Sequence, residues 1–295
     1  MVDDILFRIR SHIASVPGAP ALVSEAGVTC FGELGQQVQT ICSLLAGIEA
    51  GPLLIVGHKE HECVAVMLAC AFAGRPFIFV DRSNPAQRIE KIALIAGATH
   101  AFVAAEKIDL PSLQQLCVSL KALPETASPT ILDIAEKTLF YIVFTSGSTG
   151  QPKGVAVSRA NFAAFDGWYG TMLKQLSGRG AHVNHASLAF DMGMLDLWPA
   201  LANGSAVIML DHRNNIHARN NMHLLAGNGV TAPASWFSTP SLLQIMCTDR
   251  TFNSQTFPEL RCIFVGGRSY RSHWSAISGV DFRELASATP MGRPK

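Results

Sequence analysis

The sequence has few charged residues, and those present do not cluster. Asp, Glu, Lys and Arg make up 15% of the 295 residues, the formal net charge is +1, and no basic or acidic block occurs. Nucleic acids and anionic membrane surfaces are bound through basic patches, so this distribution argues against both as partners. Hydrophobic residues make up 48% of the chain, which is enough to fill a large core.

Long apolar runs are also lacking. The most apolar stretch, residues 63–74, has about a dozen residues, whereas a membrane-spanning helix needs about 20. At the N-terminus, charged residues from Asp3 to Arg10 alternate with apolar ones, which predicts an amphipathic helix instead of a signal peptide. We therefore expect no membrane segment and no secretory leader.

Cysteine is scattered, without a metal-binding or disulfide pattern. The cysteines are odd in number and form no C-x-x-C pair, and the histidine pairs His58/His61 and His182/His185 lack metal-binding spacing, which favours surface or strand-end positions over metal ligands. This pattern favours reduced, mostly buried thiols in a cytoplasmic protein over disulfides or a zinc site. The seven are Cys30, Cys42, Cys63, Cys70, Cys117, Cys247 and Cys262.

One stretch carries a chemical signal: a short apolar strand, residues 141–144, is followed by six Thr, Ser and Gly residues, 145–150, and then by Lys153. Glycines let the backbone lie close against a ligand, while hydroxyl and N–H groups suit phosphate oxygens. The pattern predicts a phosphate-binding loop that ends in a cation. The alternative is a flexible Ser/Gly hairpin loop without a ligand.

The loop is not the P-loop of nucleotide triphosphatases, which reads G-x-x-x-x-G-K-[ST]. Gly147 and Gly150 are too close together, and Gly154 follows the lysine where Ser or Thr should stand. The stretch from Thr145 to Val155 instead resembles the phosphate loop of the AMP-forming adenylating enzymes, which include acyl-CoA synthetases, luciferases and the adenylation domains of peptide synthetases.

This resemblance implies ATP-dependent activation of a carboxylate to an acyl-adenylate with release of pyrophosphate, and hence ATP and Mg²⁺ as cofactors. It also implies that the loop holds the β- and γ-phosphates. The residues assigned to this role are Thr145, Ser146, Gly147, Ser148, Thr149, Gly150 and Lys153.

Strands that alternate with helices from residue 53 onward predict an α/β fold with parallel sheets covered on both faces. The resemblance covers most of the chain, from about residue 20 to 267. It implies one AMP-binding N-terminal domain over residues 1–295, built as two lobes of mainly parallel sheets flanked by helices. We expect one lobe at roughly 50–178, the other at 1–49 plus 180–285, and the phosphate loop in the cleft between them.

Two local patterns carry further expectations. Asp81 ends a predicted strand, and Asn84 followed by Pro85 predicts the cap and first position of a helix, which makes a catalytic role for this segment the weaker interpretation. The helix that begins at Ser158 is expected to bury a face that includes Phe162, Phe165, Trp168 and Tyr169.

Asp191 lies between Phe190 and Met192 in an otherwise apolar stretch. A buried carboxylate needs a partner. In the family branch that activates amino acids, Phe-Asp at this point sets the carboxylate against the substrate's α-amino group, so the resemblance implies substrate binding by Phe190 and Asp191. The alternative for Asp191 is a helix N-cap. We interpret Asp196, one turn later, as structural.

The segments 230–245 and 260–267, together with 190–201, most resemble the D-alanine-activating ligases that charge a carrier protein, and their peptide-synthetase relatives. The resemblance implies that Gly266 and Gly267 underlie the adenine, although a plain turn at a strand end explains them on spacing alone. The D-alanine ligases tend to have Cys where Gly266 stands. A carrier protein with a phosphopantetheine arm is thus an expected partner.

After Gly267 the resemblance breaks, because Arg268 stands where the family has Glu. Thr289 and Pro290 only faintly match the later motif whose Thr and Glu serve the phosphates and Mg²⁺. The ribose-binding Asp, the hinge and the C-terminal lid domain with its lysine have no counterpart. We therefore expect a truncated domain with impaired turnover and a separate lid as partner, and we assign no catalytic residue and no metal ligand.

Three functions follow from these observations. The first is adenylation of an amino-acid carboxylate for transfer to a carrier protein. The second is a non-catalytic ATP- or AMP-binding module, favoured by Arg268 and the missing acid. The third is a remnant of an acyl-CoA ligase that acts on a carboxylic acid without an amino group, which Asp191 argues against.

Overall fold

The computed structural model describes residues 5–116, 138–146, 151–177, 180–211, 217–227 and 231–266. Strands and helices alternate through most of these ranges, as the sequence pattern predicts, apart from two runs of consecutive strands. In chain order the elements are α1 (Ile5–Ser15), β1 (Pro20–Ser24), β2 (Gly27–Cys30), α2 (Phe31–Ala46), β3 (Leu53–Gly57), α3 (His61–Phe72), β4 (Phe77–Asp81), α4 (Ala86–Ala96), β5 (His100–Val103), β6 (Gln114–Leu116), β7 (Leu139–Ser146), β8 (Pro152–Ser158), α5 (Arg159–Ser177), β9 (Ala181–Asn184), α6 (Asp191–Ala202), β10 (Val207–Met209), α7 (Ala218–Gly227), β11 (Pro233–Ser238), α8 (Pro240–Met246) and β12 (Cys262–Val265).

The described residues form two compact units. The first contains those of Met1–Ala19, Thr29–Trp168 and Ser187–Asp191, and the second contains those of Pro20–Val28, Tyr169–Ala186 and Met192–Lys295. The division differs from the expected lobes, since α1 and α2 belong to the first unit and not to the second.

The first unit is built on a sheet with strand order β6-β5-β3-β4-β7-β8. All neighbouring pairs are parallel except β7 and β8, which are antiparallel. Every residue of β3 and β4 is buried, which explains why both strands read as continuous apolar runs instead of alternating ones. The core on one face includes Leu54, Val56 and Ile78 from these strands and Ile89 and Ile92 from α4.

Helices α1 and α2 belong to the first unit because of contacts that connect them to one another and to its other helices. Gly35 of α2 has no room for a side chain, because a Cβ there would overlap Ile13 Cγ2 of α1. The Cys42 thiol of α2 donates to the Ala69 carbonyl of α3 at 3.6 Å, and Arg8 of α1 pairs with the buried Asp166 of α5. Amphipathic spacing predicts such helices but not the surface on which they pack.

The second unit is built on a sheet with strand order β12-β11-β9-β10-β1-β2. Strand β1 pairs in parallel with β10, so that Leu22 lies opposite Val207, and the pairs from β10 through β9 and β11 to β12 are also parallel. A buried cluster around Trp236, with Val183 and Ile208 from neighbouring strands, forms its core. The prediction of an α/β fold with two mainly parallel sheets and flanking helices is confirmed.

Two local predictions are wrong. No side chain caps α4, which follows Pro85, and the Asn84 amide instead donates to the Asp81 carbonyl at 2.8 Å. Trp168 is 57% exposed, whereas Phe162 and Tyr169 are buried. The buried stripe of α5 consists of positions 162, 166, 169 and 173, and Trp168 lies outside it.

The structural interpretation of Asp196 is confirmed, since its carboxylate is buried and accepts a hydrogen bond from the Tyr169 hydroxyl at 2.8 Å. The cysteines within the described ranges are free thiols, among which Cys63, Cys70 and Cys262 are buried. Over the same ranges, no helix combines the length and the apolar character that crossing a bilayer requires.

Candidate functional site

The predicted phosphate loop connects two antiparallel strands. β7 and β8 pair so that Thr145 lies opposite Lys153 and Ser146 opposite Pro152. The tip of the loop, with Gly147, Ser148, Thr149 and Gly150, lies outside the described residues. The two strands thus form a hairpin, a topology that fits both a ligand-binding loop and the alternative of a loop without a ligand.

At the base of this loop a hydroxyl and an ammonium group are neighbours. Side chains directly opposite each other in an antiparallel pair have Cβ atoms about 5 Å apart and share one face of the sheet. Along this face of β7, burial falls from Tyr141 through the half-buried Val143 to the exposed Thr145. Thr145 and the exposed Lys153 thus stand where the strand pair leaves the core, in a position that suits an anionic ligand.

Gly154, next to Lys153, faces Phe144 across the strand pair. A Cβ at this position would lie 3.0 Å from Ile142 Cγ2 and 3.1 Å from Phe144 Cζ. The missing side chain leaves room for the Phe144 ring against β8. This contact gives a structural reason for the glycine that follows Lys153 in the motif, independent of any ligand.

Asp191, the first residue of α6, lies within electrostatic range of the same strand. Burial raises the pKa of the Tyr141 hydroxyl above its ordinary value, and the negative charge of Asp191 raises it further. The Tyr141 ring stacks on Phe77 with the centroids 5.6 Å apart, so β7 is fixed firmly in the first unit. The structure thus brings the hairpin and the expected amine-binding carboxylate together within one unit.

Both Asp191 and Phe190 are exposed, with Phe190 at 54%. Because Asp191 begins a helix, its charge is favourable at the helix N-terminus whether or not it binds a ligand. The helix-terminal interpretation and the substrate interpretation are therefore compatible. An exposed carboxylate can meet a substrate ammonium without first being desolvated.

A polar cluster, which we call the Asp81 cluster, lies beside the segment that leads to Asp191. It consists of His58, Asp81, Ser83 and Ser187, and all four belong to the first unit. The Ser187 hydroxyl is 3.4 Å from Asp81 Oδ2, and His58 Nδ1 is 3.2 Å from the same oxygen. The sequence signal that could have found the His–Asp pair is the position of both residues at the ends of adjacent parallel strands. No local pattern points to Ser187.

Gly266 belongs to the second unit and follows β12. Its amide donates to the Ser238 carbonyl at 3.1 Å. A Cβ at Gly266 would lie 2.9 Å from Phe237 Cζ and 3.3 Å from Met192 Sδ, so a cysteine here would require the Phe237 ring to move. Gly267 lies outside the described residues. The adenine-binding role of the two glycines stays a prediction.

Among the residues that the structure describes, Thr145 and Lys153 form a candidate binding position for a phosphate. The same residues contain no group of three or more His, Cys, Asp or Glu side chains that could hold a metal ion. We therefore assign no Mg²⁺ ligand among these residues.

Comparison with known proteins identifies the family. The sequence profile described as "AMP-binding enzyme" matches residues 9–278. The D-alanine–D-alanyl carrier protein ligase of Bacillus licheniformis is 29% identical over 274 residues, which cover 90% of this chain and 53% of the relative.

Solved structures of the nonribosomal peptide synthetase FmoA3 share the fold. The first superposes with a TM-score of 0.79 at 20% identity, and covers 95% of this chain and 30% of that protein. Its AMPPNP-bound form superposes with a TM-score of 0.78 at 18% identity over the same shares. Its form with bound alpha-methyl-L-serine-AMP superposes with a TM-score of 0.75 at 22% identity, over 89% of this chain and 30% of that one.

The chain spans about half the length of the curated relatives that it matches. The profile match nevertheless extends over most of the 295 residues and includes the hairpin, Asp191 and Gly266. The chain therefore belongs to the family of AMP-binding, adenylate-forming enzymes.

Proposed function

We propose that this chain binds ATP and an amino acid and forms, or contributes to forming, an aminoacyl-adenylate. The observation that carries the proposal is the placement of Asp191 in the same unit as the Thr145–Lys153 end of the hairpin, close enough to affect Tyr141 of β7. A site that binds a nucleotide and an amino acid needs a cationic group for the phosphates and an anionic group for the ammonium.

In the proposed reaction, a substrate carboxylate oxygen forms a bond to the α-phosphorus of ATP, and the bond to the bridging oxygen breaks. Pyrophosphate leaves with the electron pair of that bond. Thr145, Lys153 and the remaining loop residues (146–150) hold the β- and γ-phosphates, while Asp191 pairs with the α-ammonium group. These contacts orient the two reactants, and orientation alone supplies a large share of catalysis in bimolecular reactions. Mg²⁺, as is usual with ATP, would neutralise phosphate charge.

Two further features belong to the proposal. The relative from Bacillus licheniformis is named for a carrier protein and for D-alanine, which supports a phosphopantetheine carrier protein as acceptor and makes D-alanine the first amino acid to test. The AMPPNP-bound and adenylate-bound forms of FmoA3, which share the fold, support a nucleotide and an aminoacyl-adenylate as ligands.

The test compares an amino acid with its des-amino analogue. Calorimetry in the presence of AMPPNP, together with ATP–pyrophosphate exchange, should show a response to D-alanine and a much weaker one to propionate. Asp191→Asn should weaken D-alanine binding at least tenfold, because a charge-assisted hydrogen bond contributes about 1.5–3 kcal/mol.

Asp109→Asn, which removes an exposed carboxylate elsewhere in the first unit, serves as the matched control and should leave binding unchanged. Equal response to an amino acid and its des-amino analogue across a panel of side chains would reject amino-acid recognition and favour the acyl-CoA ligase alternative. Amino-acid binding without exchange would favour the non-catalytic alternative, for which Arg268 is the sequence observation.

A further inference from the structure

We propose that Asp81 is a positioning residue for the amine-binding site: through the Ser187 hydroxyl, it fixes the turn that sets the place of Asp191. The role of Asp191 rests on the proposed function, whereas the link from Asp81 to the turn rests on the contacts alone. Neither His58 nor Asp81 has a place in the chemistry proposed above.

Asp81 lies at the end of strand β4. β3 and β4 are parallel, with Gly57 opposite Asp81, so His58 and Asp81 emerge from the same edge of the sheet. The carboxyl edge of such a sheet is where ligand sites form in open α/β folds. The chain therefore places a buried carboxylate at an edge where function is expected, and not deep within the core.

The charge of the Asp81 carboxylate is set by its hydrogen bonds. Burial opposes ionisation of Asp81, but hydrogen bonds from the Ser83 hydroxyl at 2.6 Å, from the Ser83 amide at 3.0 Å and from His58 outweigh it. The pKa of Asp81 is accordingly held below its ordinary value. Near neutral pH, Asp81 is an acceptor with Oδ1 turned toward Ser83 and Oδ2 toward Ser187, while His58 Nδ1 lies 3.2 Å from both oxygens.

Ser187 connects Asp81 to the turn that precedes Asp191. The Ser187 hydroxyl, 3.4 Å from Asp81, also accepts a hydrogen bond from the Ala189 amide at 3.3 Å, while the Ser187 carbonyl accepts one from the Phe190 amide at 3.1 Å. Ser187 thus connects the sheet edge to the two residues before Asp191, to Ala189 through its side chain and to Phe190 through its main chain. The contact to Asp81 is long for a hydroxyl–carboxylate bond, as is common in sites that tighten when a ligand binds.

The test measures amino-acid binding and AMPPNP binding separately. Ser187→Ala should weaken amino-acid binding about tenfold, the effect of losing one hydrogen bond to a charged group. Binding of AMPPNP should be unchanged, and Ser187→Thr, which keeps the hydroxyl, should restore amino-acid binding. Asp81→Asn should reproduce the selective loss. Ser112→Ala removes another serine–carboxylate bond, to Glu90, at an exposed position and should affect neither ligand.

A merely structural role would give a different result, in which Ser187→Ala lowers thermal stability and weakens both ligands alike. Equal loss of both would overturn the proposal, as would failure of Ser187→Thr to restore amino-acid binding.

Hydrogen–deuterium exchange keeps the test independent of the proposed function. The Ala189 and Phe190 amides should exchange faster in Ser187→Ala and in Asp81→Asn, with the amides of β3 and β4 unaffected. If the unaltered chain binds no amino acid, the proposed function fails, and faster exchange at these two amides still supports the link from Asp81 to the turn. Unchanged exchange overturns that link whatever the ligands do.

Discussion

At the scale of single residues, His182 shows how burial determines chemistry. Its side chain lies in β9 with no exposure, and Nδ1 is 2.7 Å from the Ser235 hydroxyl of the adjacent strand β11. Burial lowers the pKa of His182 to about 4, from an ordinary value of 6.5. Burial likewise lowers the pKa of His61 to about 4. This residue lies in the first unit and is hydrogen-bonded to Thr29 at 2.8 Å. Both imidazoles are neutral structural groups.

This burial predicts a pH dependence of stability. Because the unfolded chain takes up a proton near pH 6.5 while the folded His182 does not, the stability that its neutral form contributes is complete above that pH. It is lost progressively as the pH falls toward 4, by roughly 3 kcal/mol. His182→Gln keeps a partner for Ser235 but cannot titrate, so urea unfolding should show a loss between pH 6.5 and 4 that is smaller than in the original chain by roughly 3 kcal/mol.

His223→Gln, which replaces an exposed histidine of α7, should leave the pH profile of stability as it is. A profile that is equally steep in His182→Gln and in the original chain would contradict the neutral, buried state of His182.

At the scale of elements, local pattern predicts which segments become strands and helices, but not their neighbours. The strands and helices expected from residue 53 onward are present, because apolar periodicity and glycine boundaries are local properties. The packing of α1 against α2 through Gly35 and Ile13 is not local, and neither is the contact between Asp81 and Ser187. The prediction that Trp168 is buried is wrong, because a buried stripe shifted by one position along α5 packs the helix equally well.

The close packing around Gly154 in the β7–β8 hairpin can be tested by comparison with Gly167 of α5. Gly154→Ala should lower the free energy of unfolding by about 1 kcal/mol, because the new methyl group must displace Ile142 or Phe144. Gly167→Ala adds the same methyl group on α5, where a Cβ meets nothing within 4 Å, and should raise stability by up to about 1 kcal/mol.

Urea unfolding of the two variants measures the difference between these glycines directly. If Gly154→Ala were as stable as Gly167→Ala, the close packing of Phe144 against β8 would be refuted. In that case the glycine of the motif would need a ligand-based reason instead.

At the scale of the whole molecule, the predicted site residues fall in both compact units. Thr145, Lys153 and Asp191 belong to the first, and Gly266 belongs to the second. The family could be identified from the hairpin motif alone, because a run of hydroxyls and glycines between an apolar strand and a lysine is rare. The neighbourhood of Gly266 could not be predicted, because Met192 and Phe237, which are distant from it in the sequence, are brought beside it only by folding.

Nucleotide binding should stabilise the folded chain. A ligand that binds only the folded state raises its stability by about 2.7 kcal/mol at a concentration 100 times its Kd. AMPPNP should therefore shift the unfolding midpoint upward, and Lys153→Ala and Gly150→Val should reduce both this shift and the affinity measured by calorimetry. Lys174→Ala, which removes an exposed cation of α5, should change neither. Unchanged affinity in both loop variants would discard the phosphate role of the hairpin.

The parallel pairing of β1 with β10 has a consequence for synthesis of the chain on the ribosome. Leu22 finds its partner Val207 only after the intervening residues have been translated, on the order of ten to forty seconds later. During this interval β1 leaves the exit tunnel with one hydrogen-bonding edge exposed, although β3, β4 and β5 can already assemble. The nascent polypeptide is thus vulnerable to aggregation at its own N-terminal strand, and co-expressed chaperones should raise the yield of folded protein.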